Sequence, residues 1–181
     1  MLTQRSVPSI AEGVPLVPRR SFLHLGATGL ALGGLVAVGS DLGSHAAASQ
    51  GGPRRRTEAV ARDFFATIQT RSTAAIWDQV AEGGSIEFPF LGLRITDLAT
   101  LNAAIGPLLA VLGDLTYFDF VFEPLADPNG VIVTHKGHAV ITFNNKSYDQ
   151  TYITEIHVQR GKIASYAEYF DTAVLNAALA P

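Results

Sequence analysis

From Leu115 to Phe170 the chain alternates, turns and alternates again, and no other stretch limits its possible folds as much. Asp127-Pro128-Asn129-Gly130, Asn144-Asn145-Lys146 and Arg160-Gly161 divide it into four segments. Each break is built from residues that favour turns or tolerate left-handed backbone. In an extended strand successive side chains point to opposite faces. Leu115 to Ala126 then puts Phe118, Phe120 and Phe122 on one face, with Tyr117, Asp119 and Glu123 on the other. Val131 to Phe143, Tyr148 to Gln159 and the run ending at Phe170 read the same way. Long alternating segments joined by loops this short must run antiparallel, because parallel strands need a long crossover. The expectation is a four-strand meander.

Ahead of the meander the period is helical. Thr57 is placed to cap a helix in which Val60, Phe64, Phe65 and Ile68 repeat at helical spacing. Ser72 or Thr73 opens a second helix carrying Ala75, Ile76, Trp77 and Val80, which Gly83-Gly84 is expected to end. Ser85 to Phe90 reads as a short strand, with Pro89 at its end. Thr96-Asp97 starts a third helix with Leu98, Leu101, Ile105, Leu108 and Leu109 on its apolar stripe, bent at Gly106-Pro107. Gly113-Asp114 is expected to turn the chain into the meander. After it, Asp171-Thr172 caps a short last helix with Val174, Leu175 and Leu179. Helices segregated on one face of a curled antiparallel sheet make an α+β fold, a cone wrapped around the N-terminal helices with one open mouth. Such mouths hold small ligands.

The first residues read as an address. Pro18-Arg19-Arg20-Ser21-Phe22-Leu23-His24 resembles a twin-arginine export signal. The uncharged run Leu25 to Ser40 follows, and Ala46-Ala47-Ala48 offers a small-residue cleavage site. The expected division is a signal over 1–48, a flexible linker over 49–56 and a domain over 57–181. The expected location is periplasmic or secreted, with no membrane attachment after cleavage; an uncleaved anchor is the alternative. A net charge of −3 argues against a nucleic-acid partner, and with no cysteine there is no disulfide and no thiol nucleophile.

The last segment of the meander carries the chemistry. Ala164, Tyr166, Glu168 and Phe170 share a face, so an ionisable carboxylate stands between two aromatic rings. Burial of that face would raise the Glu168 pKa toward values useful for proton transfer. This layout, with Tyr-Ala-Glu-Tyr-Phe-Asp near its end, resembles the SnoaL-like proteins of the nuclear transport factor 2-like superfamily, relatives of ketosteroid isomerases and limonene epoxide hydrolases. The resemblance covers about Thr57 to Leu179. It implies the cone fold, cofactor-free acid/base chemistry on a small hydrophobic molecule and a homodimer.

Carried over residue by residue, the resemblance is selective. Glu168 matches a last-strand acid/base aspartate of the epoxide hydrolases, and Tyr166 stands where they have tryptophan. Their Arg-x-Asp pair falls on His135 and Gly137, or on Lys136 and His138 if the Asn144-Asn145-Lys146 turn slips by one residue, and their Tyr-x-Asn on Ser85 and Glu87. The isomerases' base before a proline falls on Phe88, and their helix tyrosine near Phe64. Neither constellation is complete. The expected catalytic set is therefore Glu168, His135 and Glu87, with Tyr166, Phe88, Phe170 and Trp77 binding the substrate. No metal or other cofactor is expected, since His135, His138 and His157 alternate over both faces. A non-catalytic exported ligand-binding or dimerisation module of the same fold is the alternative function.

Overall fold

The computed structural model describes residues 42–181. The twin-arginine pair and the uncharged run after it lie outside the described residues. No helix among the described residues is long and apolar enough to cross a membrane.

Helix α1 (Leu42–Gln69) is far longer than its cap signal suggests. The expected linker, 49–56, lies inside it, as does Ala46-Ala47-Ala48. Pro53 removes one N–H from the helical ladder without ending the helix. Thr57, expected as a cap, is buried within α1, and its hydroxyl lies 3.1 Å from the Pro53 carbonyl oxygen and 2.9 Å from that of Pro128. That contact ties the helix to the 127–130 turn. Ala61, Phe64, Phe65 and Ile68 form the buried stripe, at the i, i+3, i+4, i+7 spacing of one helix face.

Helix α2 (Thr73–Asp78) is capped by Ser72, whose hydroxyl accepts from the Ala75 N–H. It stops before Val80, which opens strand β1 (Val80–Phe88). Gly83-Gly84 does not end a helix. Gly83 sits at φ +73 within β1, and the pairing to the last strand shifts register between Val80 and Ser85. A 3₁₀ turn (Pro89–Leu91) and Gly92 at φ +63 reverse the chain into β2 (Leu93–Ile95). Asp97 caps α3 (Leu98–Ala104), and the expected bend at Gly106-Pro107 separates it from α4 (Gly106–Val111).

The meander is β3 (Leu112–Pro124), β4 (Gly130–Ile141), β5 (Ser147–Gln159) and β6 (Lys162–Phe170). Asp171 caps α5 (Thr172–Leu179) through the Ala173 N–H. The sheet order is β2-β1-β6-β5-β4-β3. It is mixed rather than wholly antiparallel, because β1 lies parallel to β6. No hairpin links those two strands, so local turn chemistry does not set their direction.

The expected phenylalanine ladder is interrupted. Asp119 stands at φ +55, and the β3–β4 register shifts between Phe118 and Val121. This bulge adds one residue to β3 and reverses its parity. Tyr117, Phe120 and Phe122 pack against the core while Phe118 stays 42% exposed. A second shift, with Asp114 at φ +51, replaces the expected turn at Gly113-Asp114.

Candidate active site

The helices close over the inner face of the sheet and leave a cavity with about 670 Å³ of atom-free space, its mouth included. Most of its wall is aliphatic or phenyl: Ile68 from α1, Ile76 from α2, Leu101 from α3, Leu109 from α4 and Phe88 from β1 are representative. The polar side chains lining it are one carboxyl, Glu168, and four phenols, Tyr117, Tyr148, Tyr152 and Tyr166.

Period-two geometry on β6 puts Tyr166, Glu168 and Phe170 on this inner face, as the sequence predicts, and all three are buried. The Tyr166 hydroxyl donates to Oε2 of Glu168. Burial pushes the Glu168 pKa up from 4.5 to about 7, and the Tyr166 hydrogen bond partly opposes that rise. Burial, with the charge that Glu168 carries when ionised as a smaller addition, holds the four phenols protonated, each raised above its ordinary value.

Phe88 lines the cavity against Phe170, their ring centroids 6.3 Å apart. Glu87 is next to it on β1 and therefore points the other way. It lies on the outer face, with Arg94 Nε 3.1 Å from Oε1 and the Ser85 hydroxyl 3.0 Å from the same oxygen. It cannot share a site with Glu168. Trp77 is only partly buried and does not line the cavity; its helical neighbour Ile76 does.

His135 faces inward, as expected, but does not line the cavity. Its ring is stacked between Tyr152 (centroids 4.9 Å, 12°) and Phe120 (5.3 Å, 14°), with Phe65 at 4.5 Å and Tyr117 at 5.0 Å. Neither ring nitrogen makes a well-formed hydrogen bond among the described residues. Burial lowers its pKa from 6.5 to about 4, so the imidazole is neutral at pH 7. Its contacts support the rings of Tyr117 and Tyr152, which do line the cavity.

Three site residues escaped the sequence reading. Tyr148 and Tyr152 lie on the inner face of β5, where the Tyr152 hydroxyl donates to that of Tyr148 at 3.2 Å. Extending the alternation along β5 from Tyr148 would have found both. Tyr117 enters through the Asp119 bulge, which alternation hides. Gly137, opposite Tyr117 on β4, makes room for these rings: a Cβ there would lie 2.9 Å from Tyr152 Cε2 and 3.0 Å from Tyr117 Cδ1. No cluster of histidine and carboxylate side chains able to hold a metal occurs among the described residues.

The same architecture recurs in solved structures. A Bacillus subtilis protein with a provisional isomerase assignment superposes with a TM-score of 0.62 at 22% identity, over 70% of this chain and 94% of its own. A Xanthomonas campestris protein with a provisional polyketide cyclase assignment gives 0.60 at 15% identity, over 71% and 99%. A nuclear transport factor 2-like protein from Burkholderia xenovorans gives 0.54 at 21% identity, over 70% and 97%. The chain has the nuclear transport factor 2-like fold. No protein-family model and no curated protein matches it in sequence. In the nuclear transport factor 2-like fold as this chain builds it, Glu168 is, among the described residues, the one carboxyl lining a cavity walled mainly by hydrocarbon.

Proposed function

We propose that this chain binds a small apolar molecule in the cone and moves a proton on it without a cofactor, as an isomerase, cyclase or hydrolase of the SnoaL-like kind. One observation carries the reading: a buried carboxyl with a pKa of about 7 opens onto a cavity walled mainly by hydrocarbon. At neutral pH such a group is present in both protonation states, the condition for accepting a proton and returning it. As carboxylate, Glu168 takes a proton from a weakly acidic C–H or from a water. As carboxylic acid, it delivers that proton to a different atom of the same molecule. Tyr166 steadies the ionised form. The solved neighbours include one protein with a provisional isomerase assignment and one with a provisional polyketide cyclase assignment, in keeping with this class of chemistry.

The twin-arginine pair Arg19-Arg20 and the uncharged run behind it support export of the folded domain to the periplasm or beyond. Replacing both arginines by lysine is expected to keep the protein in the cytoplasm; undiminished export of that variant removes the proposal.

A second reading has its own support. Glu87 and His135 both lie outside the cavity, which leaves Glu168 without another acid or base near neutral pH. A binding protein of the same fold needs no such partner. Glu168→Gln separates the two readings. Loss of turnover on a panel of enolisable ketones and lactones, with binding kept, supports proton transfer. Equal turnover by wild type and variant defeats it.

A further inference from the structure

Counting the phenolic hydrogens around the cavity says what kind of molecule fits it. Each tyrosine has one hydrogen to donate. Tyr166 spends its hydrogen on Glu168. Tyr148 and Tyr152 hold two hydrogens between them and use one, donated by Tyr152 to the oxygen of Tyr148. The Tyr148 oxygen accepts from Tyr152 and has the Gln150 side chain as a second donor beside it, which leaves the Tyr148 hydrogen without an acceptor among the described residues. The Tyr117 hydroxyl, which lines the cavity, makes no hydrogen bond among them. Both residues line the cavity, and both lie close enough to feel the charge of Glu168.

We propose that Tyr148, aimed by Tyr152, and Tyr117 form a binding site for one acceptor oxygen of the ligand, so that the cone takes an apolar molecule bearing a single carbonyl group. This rests on the proposed ligand-binding role of the cavity and specifies its substrate class. A buried phenol with an unspent hydrogen favours an acceptor, because a donor facing it can pair with the phenol oxygen but leaves the phenolic hydrogen unmatched. A carbonyl oxygen has two lone pairs and can take both hydrogens at once. A second polar group out of reach of Glu168 and the phenols would face aliphatic or phenyl wall and lose its hydration without return. The same two hydroxyls would hold an oxygen that gains charge when Glu168 removes a neighbouring proton.

The experiment compares two probes of nearly one shape, 2-acetylnaphthalene and 2-isopropenylnaphthalene, by calorimetric titration of the full chain. The ketone is expected to bind at least about tenfold more tightly, the value of one well-made hydrogen bond. Its carbonyl stretch is expected to fall in frequency on binding. Tyr117→Phe/Tyr148→Phe is expected to bind both probes equally, at the affinity of the hydrocarbon, while Tyr152→Phe, which leaves Tyr148 unaimed, gives a ketone preference between those of wild type and the double variant. Equal binding of the two probes to wild type overturns the carbonyl site and leaves the apolar cavity standing. Failure of both to bind up to their solubility limits overturns the two readings together. The wild-type comparison and the infrared shift decide the matter even where a variant folds poorly.

Discussion

Tyr166 donates a hydrogen bond to Oε2 of Glu168 from two residues away on the same strand, so β6 builds the buried carboxyl and its hydrogen-bond donor in one period. The bond favours the ionised carboxylate and counters burial, which favours the neutral acid. Tyr166→Phe keeps the ring that packs edge-on against Phe64, centroids 5.2 Å apart, and removes only the hydroxyl. Its expected outcome is a Glu168 midpoint above that of wild type, followed by carboxyl ¹³C shifts against pH. Any pH optimum for turnover should move the same way. A midpoint that stays or falls would show that the hydroxyl does not act on the carboxylate.

Glu168 and His135 act on stability with opposite signs. Folding raises Glu168 from 4.5 to about 7, so the folded state holds its proton more tightly than the unfolded chain. That contribution is full below pH 4.5 and is lost as pH rises toward 7, by about 3 kcal/mol. Folding lowers His135 from 6.5 to about 4. Its contribution is full above pH 6.5 and is lost as pH falls toward 4, again by about 3 kcal/mol. The two slopes cancel between about pH 4.5 and 6.5. Urea unfolding of wild type is expected to be nearly flat there as far as these two groups are concerned. Glu168→Gln should expose the loss on the acid side, and His135→Phe the loss on the alkaline side. Parallel pH profiles for the two variants would refute the assignment.

His135→Phe carries a second expectation at pH 7. The imidazole is held by four aromatic rings, and beyond the approach of the Val133 backbone neither nitrogen makes a well-formed hydrogen bond among the described residues. A phenyl ring fills the same slot with no polar atom to desolvate, which removes a cost of about 1–3 kcal/mol per unpaired group. The variant should be at least as stable as wild type and should keep ligand binding. A proton shuttle at this position predicts the opposite, loss of turnover with stability unchanged.

Gly137 sets the spacing of the tyrosines. An added methyl would press on Tyr152 and Tyr117 at about 3 Å, closer than side chains pack. Gly137→Ala is expected to cost about 1–3 kcal/mol by overpacking. It should also weaken ligand binding more than an alanine at an exposed strand position does. Thermal unfolding and titration with the naphthalene probes measure the two effects separately.

Much of this architecture was legible because turn chemistry and the period of two are local. Asp127 to Gly130, Asn144 to Lys146 and Arg160-Gly161 fix three hairpins, and alternation alone puts Tyr166, Glu168 and Phe170 on one face. Alternation also forbids Glu87 and Phe88 from sharing a site, a constraint that a family-based expectation overrode. His135 shows a deeper limit. Parity says correctly that it faces inward, but whether an inward residue meets the cavity or lies behind another ring depends on what the helices lay over it. That is a tertiary fact with no local signature. The extension of α1 through Gly51-Gly52-Pro53 is of the same kind, since the contact of Thr57 with the Pro128 carbonyl comes from a turn 71 residues away.

The Asp119 bulge puts Tyr117 on the face of Phe120 and Phe122, and its backbone makes it testable. Asp119 sits at φ +55, a conformation that aspartate tolerates, glycine adopts freely and β-branched residues resist. Its carboxylate pairs with Lys136 at 2.9 Å, but both groups are exposed, and such pairs contribute little. Asp119→Gly is therefore expected to leave stability within about 0.5 kcal/mol of wild type. Asp119→Val should lose about 1–3 kcal/mol to backbone strain. Deleting Asp119 removes the extra residue and leaves Tyr117 and Phe120 two apart, on one face under plain alternation. That variant should keep a cooperative unfolding transition, read by circular dichroism on heating, and should keep the ketone preference. A deletion that loses Tyr117 from the site, and the ketone preference with it, would mean that the bulge does more than carry one extra residue.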